Sequence, residues 1–486
     1  MIYLLGLVCL SYLAYLVVSS IRIIYFHPLR HIPGPKLWIA FPIVRNYKII
    51  KGELDIEIRR YHGIYGEVVR LGPNDVSFIT AQAWKDIYGH ANRLPKATLG
   101  FSKTPDILRS DDADHARFRK ALSHGFSARG MQAMEPSIVS YVDTLIERLK
   151  GFAEAQVPVD MVKWYNLATF DIIGDLAFGE SFGGLRSSEY HYYVSMLFDS
   201  VKLIAFTRFR MNYPLTFKIF SPFLSTRFME ARKGQLGHAR ETVQRRIHSP
   251  HPRHDFMESM LRHRGDKDGL SDAELESNAT VLIFAGSETT ATLLSGVTYW
   301  LLRNPTSLET ATREVRTTMK NESDITFQNI STQLPYLLAC LDEALRMYPP
   351  VPTGLQRAVP SPMTVSGVHI PQDTRVFVHQ SAAYRSALNF HQPESFIPER
   401  WLPEAKENPQ SPFYNDNREA FQPFSVGPRN CIGRNLAYSE MRLILARVLW
   451  NFDIELCQES YDWNQQRSYV LWEKPELMCR VKARNR

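Results

Sequence analysis

No proline interrupts the chain between Ser271 and Pro305, and the run opens on Ser271-Asp272-Ala273-Glu274, a capping-box pattern for the start of a helix. One helix of roughly 30 residues is about 45 Å long, the thickness of a substantial domain. A fold containing this rod has to be built around it. Its middle, Ala285-Gly286-Ser287-Glu288-Thr289-Thr290, places an acid and an alcohol in an otherwise apolar stretch. Gly and Thr inside a buried helix are usually packing features, and Thr289 can bond either its own backbone or a bound molecule. An ionised carboxylate there is costly unless paired.

With 486 residues, 44% of them hydrophobic, the chain can bury a large core. Length alone would allow about three domains, but the interior has no linker, repeat or low-complexity tract, so a single large domain is the simpler expectation. The formal net charge of +7 suits an anionic membrane surface or an acidic protein partner. No basic stripe carries a nucleic-acid motif, and no nucleic-acid partner is expected. Five cysteines, Cys9, Cys340, Cys431, Cys457 and Cys479, are odd in number and widely spaced, which is no disulfide framework and fits a reducing compartment.

Residues 2 to 21 are almost wholly apolar, uncharged until Arg22, and long enough to cross a bilayer once. They lack the basic n-region and short apolar core of a cleaved signal peptide. Arg22, Arg30 and Lys36 follow, so the positive-inside rule puts the bulk of the chain on the cytoplasmic side. His31-Ile32-Pro33-Gly34-Pro35 then makes a stiff, non-helical connector. Apolar alternation in Glu67 to Leu71 and Val76 to Thr80, around Gly72-Pro73-Asn74-Asp75, predicts a β-hairpin.

Thr364 to Ile370 and Thr374 to His379 predict a second hairpin, Phe170 to Gly179 a buried helical segment, Asn435 to Trp450 an amphipathic helix, and Ser468 to Leu471 a turn. On the basic helical stretch Asp114 to Lys120, His115 and Arg119 share a face, and Arg117 and Lys120 add positive charge that a solvated basic helix also explains. The stretch 198–228 mixes aromatics with cations. It fits a membrane-dipping surface and a core helix pair equally well.

Cys431 stands in the loop Phe424-Ser425-Val426-Gly427-Pro428-Arg429-Asn430-Cys431-Ile432-Gly433, bracketed by glycines and two residues from a planar cation. Taken alone it has four readings: an inert buried thiol, a disulfide half, a zinc ligand or a haem-thiolate ligand. The first is the commonest fate of a free cysteine, and zinc lacks a second Cys or His at ligand spacing.

The whole pattern, Phe-x-x-Gly-x-Arg-x-Cys-x-Gly, resembles the haem-binding loop of the cytochrome P450 family. The resemblance implies that Cys431 is the axial thiolate ligand of haem b, with Phe424, Gly427 and Gly433 shaping the loop. Ala285 to Thr290 is similar to the family's oxygen-activating motif. That similarity implies Thr289 and Glu288 as the catalytic pair that manages protons, with Ala285 and Gly286 facing the cofactor. His115, Arg119, Arg357 and Arg429 occupy positions where the family places donors to the haem propionates, although many members carry Trp in place of His115. Glu343 and Arg346, three apart on a helix, join Phe396-Ile397-Pro398-Glu399-Arg400-Trp401, which resembles the Pro-Glu-Arg-Phe motif. A buried structural triad of Glu343, Arg346 and Arg400 is implied.

These features occur in the family's order over nearly the whole chain. The implied fold is mainly α with small β-sheets, preceded by one transmembrane helix: an anchor at 1–24, a proline-rich hinge at 25–40 and a haem-thiolate domain at 41–486. The implied enzyme is a single-pass endoplasmic reticulum monooxygenase facing the cytosol. It would take electrons from NADPH-cytochrome P450 reductase, with cytochrome b5 as a second donor, and insert one atom of O₂ into an apolar substrate drawn from membrane lipid. Desaturation, ring closure or peroxide rearrangement is the alternative chemistry. The motifs resemble fungal secondary-metabolism members, which implies a terpenoid, polyketide or alkaloid intermediate. The pocket would draw on Leu94 to Leu108, Val201 to Phe206, Val281 to Thr289, Val351 to Leu355 and Ser468 to Leu471.

Overall fold

A computed structural model of the chain describes residues 2–97, 104–195, 237, 239–249, 253–262, 264–266 and 268–484. The aromatic and basic stretch 198–228, pocket positions 98–103 and 201–206, and the side chain of Cys9 lie outside the described set. The chain divides into two compact units, one of Met1–Thr98, Pro352–Glu394 and Asn415–Asn430, the other of Leu99–Val351, Ser395–Tyr414 and Cys431–Arg486.

The first unit begins with a short apolar helix, Ile2–Ile21. Beyond it the connector is fastened to a sheet. The Arg70 backbone N–H donates to the Pro33 carbonyl at 2.8 Å, and a Cβ on Gly34 would stand 2.0 Å from the Arg70 carbonyl oxygen, so only glycine fits there. The buried Arg70 guanidinium donates to the Pro73 carbonyl from Nε (3.2 Å) and Nη2 (2.9 Å) and to the Ile23 carbonyl from Nη1 (3.1 Å).

The expected first hairpin forms, with β1 (Val68–Gly72) antiparallel to β2 (Asp75–Phe78). Buried Asp75 receives Arg45 at 2.6 Å and Arg375 at 2.5 Å. Burial alone would raise its carboxyl; the two guanidiniums overcome that and hold it below the usual range. The second predicted hairpin is different. β5 (Met363–Val365) turns back directly onto β6 (Val368–Ile370). The turn is Ser366-Gly367, with φ of 47° and 75°, a left-handed pair whose twist suits a two-residue hairpin. β7 (Arg375–Val378) is left to run parallel to β2 and antiparallel to β4 (Arg357–Ala358), giving the sheet order β1-β2-β7-β4.

The second unit is mainly helical. Its central helix is Asp272–Arg303, opened by the capping box of Ser271 and Glu274. Though long and apolar enough for a membrane, it is largely buried in protein. Against it packs Met161–Phe178, buried at every position except Lys163. The helix Arg434–Asn451 is buried without a break from Leu443 to Asn451, so the expected exposed polar face is missing from its second half. Small sheets complete the unit: β3 (Val159–Asp160), β11 (Met478–Ala483) and β8 (Phe452–Leu456) in the order β3-β11-β8, and β9 (Arg467–Ser468) with β10 (Trp472–Glu473), which bracket the expected turn.

Candidate functional site

In the central helix Thr289 Oγ1 donates to the Ala285 carbonyl one turn back, at 2.6 Å. With its proton so engaged, the hydroxyl presents lone pairs outward and acts as an acceptor. Gly286 has a packing role. A Cβ there would lie 2.9 Å from Ile173 Cδ1, so its missing side chain lets the Met161–Phe178 helix approach. Ala285 and Thr289 are half-buried.

Glu288 has a partner that the sequence did not announce. Lys474, just beyond β10, forms an ion pair with Glu288 Oε1, and the two side chains are only 4% and 5% exposed. The same ammonium donates to Thr292 Oγ1 at 2.7 Å. Glu288 Oε2 is buried with no hydrogen-bond partner. A lone lysine in a C-terminal segment carries no local signal of such a contact. Glu440, on the Arg434–Asn451 helix, is a further buried carboxyl beside Thr290, and burial pushes it well above the ordinary carboxylate range. It too was not singled out from sequence.

Cys431 immediately precedes that helix, whose N-cap is Gly433. The residue is open to solvent on one side. The sulfur is otherwise ringed by protein, and this burial raises the thiol, while the Gly433 backbone N–H and the charges of Arg119 and Arg434 work in the opposite direction. Arg119 is half-buried on the helix Asp112–Ser123, and the charge relation with Cys431 is mutual. His115, one turn earlier, is buried. Arg117 does not display its charge: it pairs with Glu274 at 2.5 Å and Asp114 at 2.7 Å, leaving Lys120 as the exposed cation of that stretch.

In the other unit, Arg357 is buried on β4 with its guanidinium over the Tyr88 ring, 5.5 Å from the centroid. Phe424, Gly427 and Arg429 belong to this unit and are half-buried. Gly427 has φ of +76°, and a Cβ would fall 1.9 Å from the Tyr88 carbonyl oxygen, so the loop requires glycine for its own backbone contact.

The expected triad is present and fully buried. Arg346 donates to Glu343 from Nη2 at 2.7 Å and Nε at 2.9 Å, and Arg400 Nε donates at 3.2 Å. The Ile397 backbone N–H (2.8 Å) and Trp401 Nε1 (2.9 Å) complete the set. Burial would raise Glu343, but the Arg346 and Arg400 charges hold it below the usual carboxylate range. The Trp401 indole thus contributes a donor that a phenyl ring lacks.

These features define a class: a largely helical protein with an exposed cysteine before one buried helix and an acid–alcohol pair inside another. Residues 32–480 match the Cytochrome P450 family model, and the chain belongs to that family. Cytochrome P450 monooxygenase olcB of Penicillium canescens is 55% identical over 476 residues, 97% of each chain. Trichothecene C-4 hydroxylase of Trichoderma arundinaceum is 53% identical over 466 residues, 95% of this chain and 93% of that protein. Cytochrome P450 monooxygenase astA of Talaromyces wortmannii is 45% identical over 491 residues, 99% and 98% of the two. The protein is a cytochrome P450 monooxygenase of the fungal secondary-metabolism type.

The family implies haem, and the donor set is compatible with it. Among the described residues no group of three or more His, Cys, Asp and Glu is placed to hold a metal ion. A lone thiolate such as Cys431 needs a metal already held by a macrocycle. Gly433 has φ of −81° and meets no close protein contact; a Cβ there would stand 3.9 Å from the Cys431 sulfur. Its lack of a side chain is required neither by backbone conformation nor by packing, and leaves the sulfur's surroundings open.

Proposed function

We propose that this chain is a single-pass membrane monooxygenase of the endoplasmic reticulum, anchored by residues 1–24, hinged at 25–40 and catalytic over 41–486, that binds haem b through Cys431. The accessible thiol of Cys431, opposed in its burial by the Arg119 charge, carries the reading. By the family resemblance, His115 and Arg119 would donate to the carboxylates of the haem. Haem held there would supply dioxygen activation, the chemistry by which one oxygen atom goes to substrate and the other leaves as water.

The protein manages the proton. Thr289, its own hydrogen committed to Ala285, accepts a hydrogen bond at Oγ1. Glu288 receives and releases a proton at Oε2, the carboxylate oxygen with no other partner. Electrons reach the enzyme from NADPH through its cytochrome P450 reductase, with cytochrome b5 as a second donor. The substrate is an apolar natural-product intermediate that is hydroxylated on carbon. The relative named for trichothecene C-4 hydroxylation, 53% identical, supports that class and makes trichothecene-like terpenoids the first to screen.

Reduced protein treated with carbon monoxide should absorb at the position typical of thiolate-ligated haem, and Cys431→His should lose that band. A variant that keeps it overturns the ligand assignment.

A further inference from the structure

Glu288 and Lys474 are 186 residues apart in sequence yet form a pair hidden from solvent. The segment that carries the lysine is pinned on both sides: Trp472 Nε1 donates to the Pro349 carbonyl at 2.8 Å, and Trp463 Nε1 donates to the Pro475 carbonyl at 2.9 Å. Thr292, four residues after Glu288 on the central helix, takes a second hydrogen bond from the ammonium. Lys474 is therefore held at a fixed place, with one donor on Glu288 Oε1 and another on the helix. A buried carboxylate without such a cation would favour the neutral form.

Among the described residues, the Tyr348 and Tyr190 phenols also lie within reach of the Glu288 charge. Tyr348 is raised by burial and then by the Glu288 charge, and its hydroxyl donates to Gln466 Oε1 at 2.5 Å. Tyr190 is raised by burial, with smaller contributions from the Asp160 and Glu288 charges. Neither phenol supplies a positive charge; the cation in contact with Glu288 is Lys474.

We propose that Lys474 is a positioning residue for proton delivery: its ammonium commits Oε1 of Glu288, so that Oε2, buried and without a partner, is the atom that takes up a proton. The proposal rests on the role given above to Glu288 and Thr289. No covalent step is involved; Oε2 accepts a proton that originates in bulk solvent and passes it on towards the reacting oxygen, with the carboxylate regenerated each cycle.

The test uses the haem-loaded, full-length enzyme with reductase. Lys474→Met should show a protonated-carboxyl stretch in its infrared spectrum at neutral pH that is absent from the Lys474→Met/Glu288→Gln double variant. Glu440 contributes to both spectra and cancels in the difference. Product formed per NADPH should fall on the order of tenfold in Lys474→Met, less than the effect of removing a proton-transfer group itself. Lys474→Arg should recover part of the loss without the carboxyl band. The double variant removes both charges, folds without a lone buried ion, and should couple no worse than Glu288→Gln alone. Absence of the band in Lys474→Met, or independent effects of the two substitutions on coupling, overturns the proposal. Thr289→Ala with unchanged coupling would overturn the acid–alcohol reading instead, and leaves the infrared result standing.

Discussion

Two of the carboxylates buried in the second unit, Glu343 and Glu288, are treated in opposite ways. Glu343 accepts five hydrogen bonds, from two guanidiniums, a backbone N–H and an indole, and both of its oxygens are used. Glu288 is attached at one oxygen to a single lysine, and its second oxygen is buried without a partner. A carboxylate whose oxygens are all engaged has little capacity for a proton and serves as a fixed anion. One with an open oxygen bears a desolvation cost that persists where a reaction uses it. The contrast separates a clamp from a carboxylate that keeps one oxygen open, which is the atom the proposed role of Glu288 uses.

Breaking the clamp should have the largest consequence. Glu343→Ala leaves two buried guanidiniums without their anion, and loss of one partner from a buried ionic network costs about 3–5 kcal/mol. Denaturant unfolding should show this as a large fall in midpoint, accompanied by poor haem retention. An unchanged midpoint would mean that the triad is solvated in solution.

The first unit supplies a third way to bury an ionisable group, namely to keep it neutral. Burial lowers His379 to about 4 and His62 to about 3, despite the opposing Asp55 charge on the former and a Gly66 carbonyl contact on the latter. Below about pH 6.5 the unfolded chain binds protons that these folded imidazoles refuse, so this stability is complete above that pH and is lost as pH falls towards the folded values. For His379 the loss is on the order of 3 kcal/mol. His379→Gln should flatten the acid limb of the unfolding curve; an unaltered limb would assign acid lability elsewhere.

The smallest of the three effects concerns one donor of the clamp. Trp401→Phe keeps the aromatic ring but removes the indole N–H from Glu343, a hydrogen bond to a charged group worth about 1.5–3 kcal/mol. A double-mutant cycle with Arg346→Met should show strong coupling between the two positions. Additive losses would place Trp401 outside the network.

How much of this fold is legible in the sequence follows the range of each interaction. The capping box at Ser271 and the Glu343–Arg346 spacing are local, and both appear as expected. Arg400 could be joined to them only through a motif resemblance. Lys474 had neither local spacing nor a motif, and its partner lies 186 residues away. The hairpin at 363–370 was misassigned because strand alternation does not name a partner; the Ser366-Gly367 turn chemistry decides it. Gly286 and Gly427 illustrate a related limit. Their smallness is visible in sequence, but the neighbour that demands it, Ile173 in one case and the Tyr88 carbonyl in the other, comes from packing.

The fastening of the connector to β1 bears on mechanics. A chain hooked at Pro33 and Gly34, with Arg70 reaching back to the Ile23 carbonyl, behaves as a bracket and cannot swivel like a rope. Any force or tilt imposed on the apolar Ile2–Ile21 helix is therefore delivered to the sheet as torque, so the direction of the helix and that of the sheet are mechanically linked.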